Sequence, residues 1–481
     1  MSGTELQDLI GALRAELPDG QVMSDPDLLQ SYRRDHLLDW PAGMPAAVVL
    51  PRSTEEVALS VRIAGRHGVG VIPRGAGSGL TGGAAAVDGC LMVSLERMDR
   101  IVTIDAANQT ALVEPGVINS AVSDAAAEHG LFYPPDPASR EYSTIGGNIA
   151  TNAGGLCCVK YGVTRDHVLE LEVVLADGSI IRTGHRSVKG VAGLDLTSLF
   201  VGSEGTLGIV TQALLRLRPR PEGSATVVAY FSSLEDAGRA VALLTASDLG
   251  LSLIEIMDRG SVVLVDDWGH FGMDRDAAAL LILQSDDPEP RRTSTVERTT
   301  EICRESGAVD FFFSSDASEA DALLQARRAI GLALESLGRT LIHEDVAVPR
   351  SEVAVMIAEV DRLSAEHETR AVVFGHAGDG NLHPVIIVED GAEAMTRGHS
   401  LFEGIMAAAL RLGGTISGEH GIGQLKARYL AGELGERNIA LQRAIKAAVD
   451  PDGRFIAGGW LESDAARGVA PVDLRSGQYA R

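Results

Sequence analysis

The chain has 481 residues, 54 of them glycine, is 45% hydrophobic, and carries a formal charge of −24. That length provides roughly three domains' worth of core, and that charge argues against a nucleic-acid partner, whose phosphates would be repelled. The four cysteines, Cys90, Cys157, Cys158 and Cys303, contain no CxxC spacing, so no zinc knuckle or iron–sulfur site is written here and a reducing compartment fits.

In chain order, the opening MSGTELQDLIGALRAELPDG lacks the basic and apolar regions of a secretory leader. No run of about 20 apolar residues follows anywhere, so no membrane span is expected. The expected location is cytoplasmic, with peripheral membrane contact left open. The stretch DHLLDWPAGMPAAVVLP, containing Asp39 and Trp40, reads as a lead-in. Residues 54–67, TEEVALSVRIAGRH, predict an amphipathic helix, and VGVIP a strand. The glycine-rich PRGAGSGLTGGAA, residues 73–85, comes next. GCLMVSL, TALVEPG, VLELEVVLADGSIIRTG and GIVTQALLRLRP read as strands, with ADGS as a hairpin turn. This region closes near RPRPEG, residues 218–223. TVVAYF, LSLIEIM, AALLILQS and VDFFFSS then read as strands. SLEDAGRAVALLTASDLG and TSTVERTTEICRESG read as helices, and EADALLQARRAIGLALESLG as one long helix. That alternation predicts an α+β layer with helices on one face of a sheet. After residue 412 a loop, GTISGEHGIG, leads to a closing helix near 437–449 and a loose tail from about 463.

The loop at 73–85 contains GSGLTG, a literal G-x-G-x-x-G. A Rossmann site needs a helix directly after it, and GAAAVDG runs into the strand CLMVSL instead. A Walker A loop fails as well, because no GK[ST] follows. What remains is either a plain loop or a run of backbone amides beside Arg74 able to wrap a pyrophosphate. Two further segments, YPPDPASREYSTIGGNIATNAGG (133–155) and DLTSLFVGSEGTLGIVTQ (195–212), are also rich in small residues and abut strands. Three such loops in one region can surround one large phosphate-bearing cofactor.

These three segments, in this order, resemble the flavin-binding domain of the vanillyl-alcohol oxidase / p-cresol methylhydroxylase superfamily. The resemblance implies FAD, with its pyrophosphate on residues 74–81. From the first loop it implicates Pro73, Arg74, Gly75, Ala76, Gly77 and Ser78, then Gly79, Thr81 and Gly82. From the second it implicates Pro135, Asp136, Ser143, Thr144 and Gly146, then Gly147, Asn148, Ala150, Thr151 and Asn152. From the third it implicates Gly202, Glu204, Gly205, Gly208, Ile209 and Val210. Several members of the superfamily tether FAD through a histidine in the first loop. Here Ser78 takes that place, so non-covalent FAD is expected. Tyr133, Tyr142, Tyr161 and Lys189 lie near these loops, with packing or solvation as their ordinary roles. Cys157 and Cys158 read as small buried residues rather than a redox pair.

A second constellation is VVFGHAGDGNLHPVIIV, residues 372–388. A two-residue turn at Asp379 and Gly380 would pair 378 with 381 and 376 with 383. His376 would then face His383, with Cβ atoms roughly 4.5–5.5 Å apart. Such a pair is either a shared metal site or two stacked histidines. SGEHGIG, residues 417–423, supplies a third group, Glu419 or His420. Two nitrogens and one oxygen suit zinc, manganese or ferrous iron, which leaves a non-haem iron oxygenase as a rival reading.

G-H-x-G-D-G-N-L-H followed by G-E-H-G-I-G resembles the FAD-linked D-2-hydroxy-acid dehydrogenases of the same superfamily. These include D-lactate dehydrogenases, the glycolate oxidase flavin subunit and D-2-hydroxyglutarate dehydrogenase. The similarity runs from about residue 20 to 460. It implies a two-subdomain FAD domain of the p-cresol methylhydroxylase type, an α+β substrate (cap) domain with an antiparallel sheet, and a C-terminal helical segment returning to the FAD domain. The implied boundaries are a lead-in at 1–45, the FAD domain at 46–222, the cap at 223–412, the returning segment at 413–462 and a tail at 463–481.

The resemblance further implies His376, His383 and Glu419 as ligands of a divalent metal, zinc first, with manganese or iron open. It implies His420 as general base, Asn381 as a substrate contact and Arg327 as the clamp on the substrate carboxylate, with Arg328 the alternative. Hydride would pass to flavin N5 and electrons to an external acceptor: a quinone, a cytochrome, an electron-transfer flavoprotein or a partner subunit. A homodimer is left open. Two departures matter. DPDGRFIAGGW lacks the Asn-Pro-Gly-Lys found in many relatives. His343, in TLIHEDVAVP, stands where D-2-hydroxyglutarate enzymes tend to have a lysine, which favours a monocarboxylate such as D-lactate over a dicarboxylate. A non-catalytic flavin-fold subunit is the third reading, and the intact His376, His383, Glu419 and His420 argue against it.

Overall fold

The computed structural model describes residues 3–37, 41–456, 459–461, 472 and 474. Asp39, Trp40 and nearly all of the expected tail lie outside the described residues. The chain divides into two compact units, one of residues 1–154, 162–220 and 419–472, the other of residues 155–161, 221–418 and 473–481.

The first unit contains two principal sheets. One follows the order Val22–Met23, Ala47–Val49, Leu91–Ser94, Val71–Arg74, with its first pair antiparallel and the other two parallel. Parallel strands need a crossover, and helix Thr54–Arg66 supplies the one from Ala47–Val49 to Val71–Arg74, the two strands that flank Leu91–Ser94. Ser53 caps that helix by accepting the Glu56 N–H, and Val57, Val61, Ile63 and Ala64 form its buried stripe. The other sheet is antiparallel, in the order Ile101–Asp105, Thr110–Val113, Ile209–Arg216, Val168–Val174, Ile180–Gly184. Its last two strands form the hairpin that ADGS predicted. No helix follows the first glycine loop, which runs to the strand Leu91–Ser94.

The second unit is built on one antiparallel sheet in the order Ala308–Ser314, Ala225–Phe231, Ala279–Ser285, Leu253–Asp258, Arg370–His376, Asn381–Val388, Thr340–His343, with Val346–Ala347 also on Asn381–Val388. Ala225–Phe231 and Leu253–Asp258 are buried at every residue. Successive strand side chains point to opposite faces, so this sheet is covered on both faces rather than on one. Helices Leu234–Ala246, Val353–Glu366 and Ala392–Arg411 pack together on one face, and Arg259–Gly269 packs with Ala317–Arg328 and Ile330–Glu335 on the other; of these, Arg259–Gly269, Val353–Glu366 and Ala392–Arg411 were not placed by the sequence reading. The single long helix expected around Arg327 is instead two, Ala317–Arg328 and Ile330–Glu335. Gly331, a weak helix former, lies in the first turn of the second.

Asp258 ends a central strand and caps helix Arg259–Gly269, accepting the Ser261 N–H at 2.6 Å. Burial raises its pKa from 3.8 to about 6, against the pull of its hydrogen bonds with Ser261 and the Val373 backbone. The folded chain therefore holds this proton more tightly than the unfolded chain. The site's contribution to stability is full below pH 3.8 and is lost as pH rises through about 6. Asp258→Asn keeps a capping oxygen and does not titrate. Thermal melts between pH 3.8 and 6 should therefore shift in the variant's favour as pH rises; parallel melting curves would rule out this protonation.

Candidate functional site

The first glycine loop leaves the strand Val71–Arg74, and Arg74 is its brace. The Arg74 guanidinium is buried, donating from Nη2 to the Arg34 carbonyl at 2.8 Å and from Nη1 to the Ala84 carbonyl at 3.2 Å. Desolvation lowers its pKa, opposed by nearby Asp35. Two of its donors are thus spent on backbone carbonyls, one in the loop and one in the earlier segment at Arg34. Gly77 crosses this guanidinium at φ +73°, where a Cβ would overlap Nη2. The loop closes around Arg74 because Gly77 carries no side chain.

A cavity inside the first unit is lined by Pro73, Arg74, Gly75, Ala76, Gly77, Ser78, Gly79 and Thr81. The second loop adds Gly146, Gly147, Asn148, Ala150 and Thr151, and the third adds Glu204, Gly205, Gly208, Ile209 and Val210. The three glycine loops therefore do converge on one space. Seven of the expected residues do not line it. Gly82 is a turn at φ +76°. Thr144 caps helix Ile145–Thr151 through the Gly147 N–H, and Ser143 accepts from the Asn148 amide at 3.3 Å. Asn152 ends that helix at φ +53° and accepts the Arg165 N–H. Gly202, at φ +79°, donates its N–H to Ile149. Pro135 and Asp136 stop short of the wall that Pro137, Ala138 and Ser139 form. These residues shape the loops from behind.

The wall also contains residues the motifs did not predict, among them Asp35, His36, Leu95 and Phe200. Tyr142 is a wall residue too, stacked on His36 with ring centroids 5.8 Å apart. No glycine signature marks these positions, and only the fold brings them in. Tyr133 is packed against His167, Tyr161 donates to Asp286 at 2.5 Å, and Lys189 is exposed. Cys157 and Cys158 are only half-buried, contrary to expectation, and form no disulfide.

Glu419 and His420 line the same cavity, and the structure shows how they are held there. Glu204, at φ +53° and buried but for its edge on the cavity, accepts the Ile422 and Gly423 N–H groups at 2.8 Å each. Burial lifts its pKa to about 7, while those two N–H groups pull it back. Thr81 donates to the His420 carbonyl at 3.4 Å and accepts the Leu425 N–H on its own carbonyl at 3.0 Å. A Cβ on Gly154 would overlap the Glu419 carboxylate. The GEHGIG segment is thus clamped by all three glycine loops.

The histidine pair belongs to the second unit. The expected register is off: His376 pairs with Asn381, and His383 with Phe374. The connection is a four-residue loop, 377–380, made of two overlapping turns, Asp379 N–H to His376 at 3.0 Å and Gly380 N–H to Ala377 at 3.3 Å. The two histidines still share one face, now on a diagonal, with ring centroids 5.1 Å apart at 83°. His376 Nδ1 lies 2.6 Å from Glu255 Oε1, and His383 Nδ1 lies 3.5 Å from Asp345 Oδ1. Only the first contact is of hydrogen-bond length, so His376 is the imidazole backed by a buried carboxylate, the arrangement that orients metal-binding histidines.

Arg327 is buried and Arg328 exposed, so helix phase selects Arg327 for the interior. Its Nε donates to Glu255 Oε2 at 2.8 Å and its guanidinium covers the Phe374 ring at 4.7 Å. Asn381 uses its amide nitrogen twice, donating to Asp345 at 2.8 Å and to the Val346 carbonyl at 2.9 Å. That nitrogen ties the hairpin to the neighbouring segment at Asp345 and Val346. Glu255 and Asp345 escaped the sequence reading. The signal for the first was available: an acid inside LSLIEIM has to be paired if it is buried.

The glycine loops define a dinucleotide cradle, and known proteins identify its class. Residues 45–184 match the family described as "FAD binding domain", and residues 220–458 the family described as "FAD linked oxidases, C-terminal domain". The glycolate oxidase subunit GlcD of Bacillus subtilis is 42% identical over 427 residues, 89% of this chain and 91% of that one. A D-lactate dehydrogenase of Archaeoglobus fulgidus is 36% identical over 411 residues, 84% of this chain and 88% of that one. The solved structure of p-cresol methylhydroxylase with substrate bound matches with a TM-score of 0.79 at 19% identity, covering 98% of both chains. That last likeness speaks to fold alone. The chain belongs to the FAD-linked oxidase family, and it is an FAD-linked oxidoreductase of the D-lactate dehydrogenase/GlcD type.

Gly77→Ala tests the cradle. The backbone strain of about 1–3 kcal/mol, added to the collision with Arg74, should weaken FAD binding about tenfold or more. Gly130→Ala shares the positive φ, +68°, but has no atom within 4 Å of its Cβ position. FAD retained on purification, read from the visible flavin absorbance, should fall in the first variant and not in the second. Equal retention in both would mean the close approach at Gly77 is unimportant.

Proposed function

We propose that this oxidoreductase converts a D-2-hydroxy acid, D-lactate or a similar monocarboxylate, to the 2-oxo acid. The reading includes non-covalent FAD, a divalent ion held by His376, His383 and Glu419, and an external electron acceptor. The observation that carries it is that His420 and Glu419 line the same cavity as the flavin loops, fixed there by Thr81 and Glu204. When bound, FAD supplies a two-electron acceptor and the divalent ion a Lewis acid.

The chain's own residues have three tasks in this reading. His420, a wall residue of the flavin cavity, takes the hydroxyl proton, a job suited to a neutral imidazole near pH 7. Arg327 meets the substrate carboxylate with its terminal nitrogens, since Glu255 occupies only Nε. His376 and His383 present ring nitrogens on one hairpin face, each with Nδ1 beside a carboxylate. Asn381 ties that hairpin to Asp345 and Val346 through its amide nitrogen. His343, at the end of strand Thr340–His343, offers no fixed positive charge for a distal carboxylate, which supports a monocarboxylate. The names of the relatives, glycolate oxidase subunit and D-lactate dehydrogenase, point to the same class of acid.

Anaerobic titration with paired D- and L-acids, following the visible flavin band, tests this. A D-monocarboxylate should bleach the flavin, its L-enantiomer should not, a chelator should abolish the bleaching, and added zinc or manganese should restore it. In His420→Ala the rate of bleaching should fall about 10²–10⁴-fold with FAD content unchanged. A flavin that no 2-hydroxy acid bleaches would refute the substrate class. Bleaching indifferent to chelator would refute the metal.

A further inference from the structure

Glu255 is buried at 0% exposure in the middle of the strand Leu253–Asp258, directly across from His376 on the strand Arg370–His376. Its two oxygens are divided between two partners. Oε2 accepts Arg327 Nε–H at 2.8 Å, and Oε1 lies 2.6 Å from His376 Nδ1. All three side chains are buried. Isolated, a carboxylate there would be costly. Arg327 cannot give up its proton, so it is a permanent counter-ion, and the pair is neutral without a charge on His376.

This arrangement dictates the chemistry of His376. An ionised carboxylate only accepts hydrogen bonds, so Nδ1 must carry the proton that bridges it to Oε1. The neutral ring then has its lone pair on Nε2. The same carboxylate fixes Arg327 by Nε, leaving the two terminal nitrogens as the fork that a planar carboxylate fits.

We propose that Glu255 is a positioning residue that sets the tautomer of His376, so that Nε2 binds the divalent ion, while anchoring Arg327 for the substrate carboxylate. The inference rests on the reading of His376 as a metal ligand. Glu255→Gln breaks the arrangement in a defined way. Its amide has one oxygen for two donors, Arg327 Nε–H and His376 Nδ1–H. Once the oxygen is taken by arginine, the NH₂ group faces His376 and draws the ring to the opposite tautomer, with Nε2 protonated and unable to bind metal. Glu255→Asp keeps an acceptor-only group.

The test uses the FAD-loaded protein with zinc alone, competed against a chromogenic chelator. Zinc affinity should fall about 10–100-fold in Glu255→Gln, with FAD content unchanged, and recover at least in part in Glu255→Asp. Wild type that binds zinc and a Glu255→Gln variant that binds it equally well would overturn the inference and leave the metal reading standing. Wild type that binds no divalent ion would overturn both. Should Glu255→Gln fail to fold, ¹⁵N imidazole NMR of metal-free wild type gives a second readout, with His376 assigned by the signal lost in His376→Gln. The Nδ1–H tautomer is expected, and an Nε2–H tautomer would overturn the proposal.

Discussion

The carboxylate of Glu204 is the constraint on which the first unit's functional face depends. It is buried, at a positive φ that an L-residue rarely adopts, and it meets two backbone N–H groups from a segment more than two hundred residues later in the chain. Burying a carboxylate costs several kcal/mol unless its oxygens are hydrogen-bonded. The two bonds to Ile422 and Gly423 offset that cost and restrict where residues 419–423 can run. Gly83 and Gly421 leave room for the carboxylate, with Cβ positions 3.5 and 3.1 Å from it. Because Glu204 sits between the third glycine loop and the HGIG turn, a wall of the cofactor cavity also locates His420.

Glu255 solves the same problem in the second unit with different partners. Its charge is met by a guanidinium and an imidazole rather than by backbone amides. Backbone amides fix where a loop runs. A guanidinium and an imidazole fix which of their remaining nitrogens face outward and in what protonation state. The first kind of anchor therefore places a segment, and the second prepares side chains for ligands.

The parts of this architecture legible in the sequence were those written in local chemistry. Loops that require positive φ or close backbone approach leave glycines, as at Gly77 and Gly205, so three cofactor loops could be read before any fold was known. Strands and the ADGS hairpin followed from alternation and turn residues. The register at GDGN did not, because 377–380 closes by two overlapping turns instead of one, and nothing in the four residues distinguishes these alternatives. A one-residue shift on each strand turned a facing histidine pair into a diagonal one without changing the face they share. The split of the cap helices between the two faces of the sheet was likewise missed, since a helix such as Arg259–Gly269 shows which face it covers only when packed. Asp345 and His36 were silent because their partners lie far along the chain, and Glu255 signalled only that a buried acid needs a partner, not which one.

The motif residues also divide by what hydrogen-bonding capacity they have left. Asn381, prominent in G-D-G-N, has both amide hydrogens committed to Asp345 and Val346, and a Cβ on Gly418 would collide with that amide. Thr144, Ser143 and Asn152, prominent in the second glycine loop, spend their oxygens on a helix cap, on the Asn148 amide and on the Arg165 N–H. A buried polar group that has found its partners inside the protein has little left to offer a ligand. Arg327 differs, because its Nε bond to Glu255 leaves the two terminal nitrogens of a five-donor group. A motif thus marks where a site is built, and the remaining donors and acceptors decide which of its residues act on a ligand and which hold the others in place.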